Sequence, residues 1–525
     1  MGRICGGIAI ALFPLFVGAS VQGAAPPKLT PELLKQGKAL YNKQCAICHG
    51  AEGRGDGPAA DFLFPKPRNL TTGLFKIRST PSGSPPTDQD LFRTITNGIP
   101  GSLMPNFSFF SETERWALVA FVKKLGEIEE EEPERVIQAP PEPPTTSQTL
   151  ARGKELYRKM KCWECHGLEG RGDGPTADQL FDDWGFPIPP NDFTRGIYKG
   201  GGKPSDIYLR FTTGMTGTPM PSYEDLLNEA ERWALVHYVK SLAGPKVAVQ
   251  PTTERIVAKR VSGPVPKDAL DPLWSRVPET TIPLMHLWQR RKAADAISVR
   301  AVHDGREIAF LLEWEDWEVN SRFLRHQDFA DSAAIMFSLS PDLPLSEQPH
   351  FAMGEKGRPV NIWYWRLDRQ MDLAGFRDIE TAYPNMVSDD YQLEAGRYLK
   401  DVEKPSHLPI TSAPAHDPVF ITGWGAGNPL SIPMRRSAVE DTNAEGFGTL
   451  TTQPQKDQDV KGQGLYVAGR WRVVFFRELR SKGPFDVQLK NGGQFPVAFA
   501  VWDGSKGDRD GQKSVSTWYT LQLAP

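Results

Sequence analysis

Two short stretches hold the residues best able to do chemistry. Cys45-Ala46-Ile47-Cys48-His49 and Cys162-Trp163-Glu164-Cys165-His166 share one pattern, and each is followed four residues on by Gly-Arg-Gly-Asp-Gly-Pro, at 53–58 and 170–175. At Cys-x-x-Cys-His spacing two thiols can form thioethers to the vinyl groups of a haem while the adjacent imidazole ligates its iron. Zinc would need further ligands at suitable spacing, and a redox dithiol has no use for the repeated His. The glycine-rich tails lack the Lys-Ser/Thr ending of a phosphate loop, so they read as tight turns. Of 5 cysteines, only Cys5 is left over.

An iron held from one side by His needs a ligand on its other face. Met104, in Gly101-Ser102-Leu103-Met104-Pro105, follows His49 by 55 residues, and Met220, in Gly217-Thr218-Pro219-Met220-Pro221, follows His166 by 54. A thioether is soft, favours ferrous iron and raises the reduction potential. The following Pro restricts each Met to an extended backbone. Met215 is a competitor without a partner in the first copy.

The elements that position these residues are also repeated. Cys45 and Cys162 are 117 positions apart, as are Trp116 and Trp233 in two Glu-Arg-Trp-Ala-Leu-Val segments with helical apolar spacing, Glu112 to Leu125 and Glu229 to Leu242. Ahead of each haem motif a helix is expected, one starting at Thr30-Pro31 and running through Gly37 and Tyr41, the other from Gln148 through Gly153 to Tyr157. Repetition at this length marks a duplicated domain. Residues 30–126 and 148–244 each resemble a class I cytochrome c domain, which implies covalent haem c in both, held by Cys45, Cys48, Cys162 and Cys165, with His49, Met104, His166 and Met220 on iron. An acidic, Pro-rich linker, 127–147, and a second linker, 245–266, separate the units.

At 525 residues the chain has room for about three domains. A net charge of -3 gives no footprint for nucleic acid or an anionic membrane. Met1-Gly2-Arg3, the apolar run from Ile8 to Val17 and the small residues up to Gly23 have the layout of a secretory signal, 1–23, which would carry Cys5 away. No other stretch approaches a membrane span, so an exported, periplasmic protein is expected.

From Lys267 the pattern changes to short β-type runs: 282–287, 296–302, 308–314, 332–337, 360–366, 472–476, 496–502 and 514–523, with Asp-Gly turns between several of them. This density argues for an antiparallel β-sandwich over 267–525. The expected architecture is therefore multidomain, two all-α cytochrome c domains followed by an all-β antiparallel sandwich. Periodicity alone gives the last domain no function beyond binding.

Three segments take it further: Val299 to Gly305, Met353 to Trp363 and Val497 to Gly504 resemble the haem-binding γ subunit of ethylbenzene dehydrogenase, over about residues 270 to 523. An insertion around Asp368 to Pro418 has no counterpart. The resemblance implies a b-type haem held by Met and Lys, and electron exchange with the iron–sulfur and catalytic subunits of a molybdenum oxidoreductase of the dimethyl sulfoxide reductase type. Met353 is the Met of the matching segment, and Lys490 is preferred over Lys513 as the Lys. A ligating lysine must lose its proton, which burial or iron promotes. His303, His326 and His350 could ligate instead, and Trp363, Trp365 and Trp502 read as core or pocket walls. The chain as a whole then reads as an electron-transfer subunit without catalytic residues, carrying two haem c and one haem b towards or from a soluble or membrane carrier. Its rivals are a dihaem cytochrome with a carbohydrate-binding sandwich and no b haem, and a haem enzyme with an open iron position.

Overall fold

A computed structural model of the chain describes residues 27–128, 136–244, 255–290, 293–322, 325–374, 385 and 435–525. The expected signal segment with Cys5, the acids 129–134 of the first linker and most of the insertion expected after Asp368 lie outside the described residues.

The two N-terminal units are built alike. In the first, α1 (Pro31–Gln44) starts where the Thr30 side chain accepts from the Leu33 amide, and α2 (Ala46–His49) carries the haem motif. After α3 (Asp88–Asn97), Ser111 and Glu114 close a capping box on α4 (Glu112–Leu125). The second unit repeats the set as α5 (Ser147–Lys159), α6 (Cys162–His166), α7 (Pro204–Thr213) and α8 (Glu229–Ser241), with Asn228 and Glu231 boxing the last. The first and last helices of each unit cross at a glycine. A Cβ on Gly37 would sit 2.0 Å from the Ala117 carbonyl oxygen, and one on Gly153 would sit 2.1 Å from that of Ala234. Only a hydrogen fits there.

The C-terminal part is a sandwich wrapped around Trp314, Trp363, Trp365 and Trp471. Its strands are β1 (Arg255–Arg260), β2 (Thr280–Pro283), β3 (Met285–His286), β4 (Ala296–His303), β5 (Glu307–Glu315), β6 (Ser332–Ser338), β7 (Val360–Arg366), β8 (Val439–Ala444), β9 (Thr451–Thr452), β10 (Lys461–Val467), β11 (Arg470–Glu478), β12 (Gln494–Trp502), β13 (Ser514–Val515) and β14 (Tyr519–Leu523), with the short helix α9 (Leu367–Asp372) after β7. The main path runs β10-β11-β5-β4-β1-β14-β12-β6-β7-β8-β9. The sheet differs from the expected all-antiparallel one at β1, which runs parallel to both neighbours, β14 and β4. It falls in the segment expected to be linker, because only Ile256 and Ala258 turn inward among charged residues.

Strand β12 shows how one strand serves two faces. Phe495, Val497, Phe499 and Val501 enter the main core, whereas Ala498, Ala500 and Trp502 point to the opposite face.

Candidate haem sites

In each N-terminal unit the haem motif opens onto an apolar cleft. The first is lined by Cys45, Cys48, His49 and Met104 among others, and the second by Cys162, Cys165, His166 and Met220. Their empty space is about 1440 and 1180 Å³, part of it open to solvent, which suits a group of tetrapyrrole size. The histidine of each motif is oriented from behind. His49 Nδ1 donates to the Arg68 carbonyl at 2.9 Å, and His166 Nδ1 to that of Asn191 at 3.0 Å. A carbonyl can only accept, so the proton is fixed on Nδ1 and the Nε2 lone pair is left for iron. Burial pushes the His166 pKa down to about 4 and lowers that of His49, keeping both rings neutral.

The thiols speak against redox chemistry of their own. Burial raises Cys45 and Cys48 to about 12 and Cys162 to about 11, the reverse of what a reactive dithiol needs. Tyr41 and Tyr157 secure the residue after each His, donating to the carbonyls of Gly50 at 2.8 Å and Gly167 at 2.7 Å.

The two methionine loops are copies. The Met104 amide donates to Ser102 Oγ at 3.2 Å and the Met220 amide to Thr218 Oγ1 at 3.3 Å, while their carbonyls accept from the amides of Ile99 and Met215. Met215 therefore occupies the place of Ile99, which cannot ligate, and Met220 occupies that of Met104. The donor set of each cleft, two thiols, a neutral imidazole and a thioether, fits covalent haem c.

Two further residues of the clefts belong to neither motif. Lys76 and Lys199 each line both clefts. They follow matching 3₁₀ turns, Leu70–Thr72 and Phe193–Arg195, begun by the side chains of Asn69 and Asp192 and ended by left-handed Gly73 and Gly196. The signal was present as Gly73-Leu74-Phe75-Lys76 against Gly196-Ile197-Tyr198-Lys199, but at an offset of 123 rather than 117.

On the sandwich, the outer face of β12, β6, β7 and β8 is paved with small residues. Ala500 pairs with Ala334, and Ala498 lies beside Met336, with Ala444 further along. Phe351, Tyr364, Trp502 and Trp518 stand around them, and Met353 packs into the same cluster. A flat apolar floor with aromatic walls fits a planar macrocycle. Met353 has φ 75° and Gly354 φ 79°. A left-handed conformation costs a non-glycine residue roughly 1–2 kcal/mol, so the fold holds Met353 against its backbone preference.

The two lysine candidates are placed differently. Lys513 is 6 % exposed, with Nζ 4.9 Å from the Trp502 ring centre at the edge of this face, and burial pushes its pKa down to about 8. Lys490 is exposed and precedes the far end of β12, roughly 26 Å of strand from Trp502. Lys513 thus borders the cluster against which Met353 packs, and exposed Lys490 does not. Among the histidines, His303 is buried at the end of β4, whereas His350 lines the first cleft.

The sites adjoin one another. The first cleft is walled in part by His350 and Phe351 of the sandwich, two residues before Met353. Ala59, Leu63, Cys48 and Leu103 of the first unit form one apolar cluster with Phe351, Ala500, Leu287 and Val515. The second unit reaches the sandwich through Arg195, which pairs with Asp295 and faces His286 Nε2 at 3.1 Å.

Comparison with known proteins agrees with this division. Residues 34–126 and 150–243 match the cytochrome c family, and residues 271–514 the ethylbenzene dehydrogenase family. The chain is similar to a protein named as a respiratory nitrate reductase haem subunit in Haloferax mediterranei, 23% identical over 55% of this chain and 80% of that protein. It is also similar to the chlorate reductase γ subunit of Ideonella dechloratans, 23% identical over 52% of this chain and 87% of the other. The dimethylsulfide dehydrogenase γ subunit of Rhodovulum sulfidophilum is 26% identical over 50% and 76%. No described helix is long and apolar enough to cross a membrane. Cytochrome c domains imply covalent haem c, and the ethylbenzene dehydrogenase family implies haem b. Residues 271–514 thus match the ethylbenzene dehydrogenase family, with two segments that match the cytochrome c family joined ahead of them.

Proposed function

We propose that this chain is a periplasmic electron-transfer subunit with one b-type and two c-type haems, exchanging electrons between the iron–sulfur subunit of a molybdenum oxidoreductase and a respiratory carrier. The observation that carries it is the contiguity of the three sites. The His350-Phe351 wall joins the first cleft to the Met353 face, and Lys76 and Lys199 line both clefts. The order supported is therefore sandwich, first cytochrome unit, second cytochrome unit.

Bound haem supplies a one-electron carrier at each site. The protein's part is to saturate and bury it. His49 with Met104, and His166 with Met220, would hold the iron of the two c-type haems and leave no place for substrate, which favours transfer over catalysis. On the sandwich, Met353 with Lys513 is the pair that burial supports, in preference to Met353 with Lys490. The names of the similar proteins support a partner enzyme of the oxyanion reductase or sulfide dehydrogenase kind. Which way electrons run depends on the potentials of the two ends.

A pyridine haemochrome assay on the exported, mature protein tests the reading. Two covalent c-type haems and one extractable b-type haem per chain are expected. Absence of the b haem would reduce the protein to a dihaem cytochrome with a binding sandwich.

A further inference from the structure

Between the two clefts the units bring a group of cations together. Lys76 and Lys199 line both cavities, and neither ammonium has a hydrogen-bond or ion-pair partner among the described residues. Arg68 crosses from the first unit to lie 4.1 Å over the Trp184 ring of the second, with Nη1 buried and unpaired. Arg78 is 0% exposed and donates through Nη2 to the Thr213 carbonyl at 2.9 Å, but its Nε and Nη1 have no partner. Arg210 returns from the second unit to donate to the carbonyls of Lys76, at 3.0 Å, and of Arg78. Asp182 and Asp183 act on the margin, through Arg68 and Lys76.

Lys76 and Lys199 are half-buried, and holding an ammonium away from bulk water without an anion beside it is costly. Burial pushes Lys199 down to about 8, and burial with the charges of Arg68 and Lys199 drives Lys76 well below its ordinary range. A protein that places two lysines from equivalent turns of a duplicated unit at one junction has a use for their charge. The missing partner is an anion that reaches the junction from inside the clefts.

We propose that Lys76 and Lys199 form a shared carboxylate clamp, receiving the propionate groups of the haems in both clefts and coupling the two cytochrome units electrostatically. The proposal rests on the haem c reading of the clefts. A haem is most positive when oxidised, so a nearby cation favours its reduced form and raises its potential; a lysine common to two clefts must do this for two haems. Arg210 acts as a positioning residue, fixing the backbone of Lys76 from the opposite unit.

The test uses the full, haem-loaded chain. Haem c content is first measured by pyridine haemochrome on the unaltered protein, and the two c-haem midpoint potentials are then followed by spectroelectrochemical titration in K76M, K199M, K76R and K199R. Each Met variant is expected to lower both midpoint potentials, and each Arg variant to restore them at least in part. Because either lysine alone carries the prediction, a failure of one variant to mature leaves the other decisive. Potentials that do not move, or a shift confined to the haem of the altered unit, would overturn the shared clamp while leaving the haem reading intact. An unaltered protein without covalent haem c would remove the reading and the clamp together.

Discussion

Lys513 Nζ lies 4.9 Å from the centre of the Trp502 ring, and Trp502 belongs to the same apolar cluster as Met353. Lys513 and Met353 therefore both border the sheet face that carries Ala334, Ala444, Ala498 and Ala500. Lys513→Ala and Met353→Ala are each expected to abolish the b-type haemochrome while leaving the c-type signal at its full value. Lys490→Ala should leave all signals in place. A b signal that survives K513A and vanishes in K490A would transfer the ligand role back to Lys490.

Met104→Ala and Met220→Ala should each open one iron to external ligands. Carbon monoxide is expected to bind one ferrous c haem in each variant and none in the unaltered protein, with a fall in that haem's potential as the soft thioether is lost. Met215→Ala, which alters the place equivalent to Ile99, should bind none.

Gly37→Ala and Gly153→Ala test the helix crossings. The added methyl would have to displace the carbonyl oxygens of Ala117 and Ala234, which lie at 2.0 and 2.1 Å. Overpacking of this kind costs about 1–3 kcal/mol where the backbone can shift, and more where it cannot. Each variant should lose thermal stability in one cytochrome unit, and covalent haem should fall towards one c-type group per chain.

Asp316, Asp331 and Asp503 have carboxylate oxygens within 4.8 Å of one another at the end of the sandwich. Burial, followed by the charges of Asp331 and Asp503, raises the Asp316 pKa to about 8; burial is also the leading cause raising Asp331 to about 7. Both stand above the unfolded value, so between the two values the folded chain holds protons that the unfolded one has released. Their contribution to stability is fully present below about pH 4 and is lost as pH rises from there through 7 and 8, each protonated carboxyl costing up to about 1.4 kcal/mol for every pH step of one. Calorimetry of the sandwich transition should show its midpoint declining across that window, with a shallower decline in Asp316→Asn. A midpoint that rises with pH would contradict the assignment.

What the sequence discloses follows from how local each requirement is. Covalent attachment needs Cys, Cys and His within five residues, so Cys45 to His49 are legible without a fold. The Met-Pro loops become legible by repetition. Lys76 and Lys199 escape notice because six extra residues between His166 and Asp192 break the register of the repeat. Strand β8 escapes because its Glu440, Asp441 and Thr442 are buried polar groups, Glu440 paired with Arg369 of α9 and Asp441 with Asn361 of β7, and so carry no apolar alternation. Lys490 is attractive in sequence for its nearness to β12, but nearness along a strand says nothing of depth, and Lys513 is the one under cover.

Strand β1 has a consequence for how the molecule can be divided. It is the first described segment after the second cytochrome unit, and it joins the two halves of the sheet by pairing with β14 on one side and β4 on the other. A fragment beginning at residue 267 would keep every strand visible as a β-type run yet be cleft through its middle, with two long inner edges open to other chains. The chain leaving the cytochromes is thus the keystone of the sandwich. Severing carriers from sandwich at that point would undo the third site, so the smallest piece able to keep a b haem should begin ahead of Arg255.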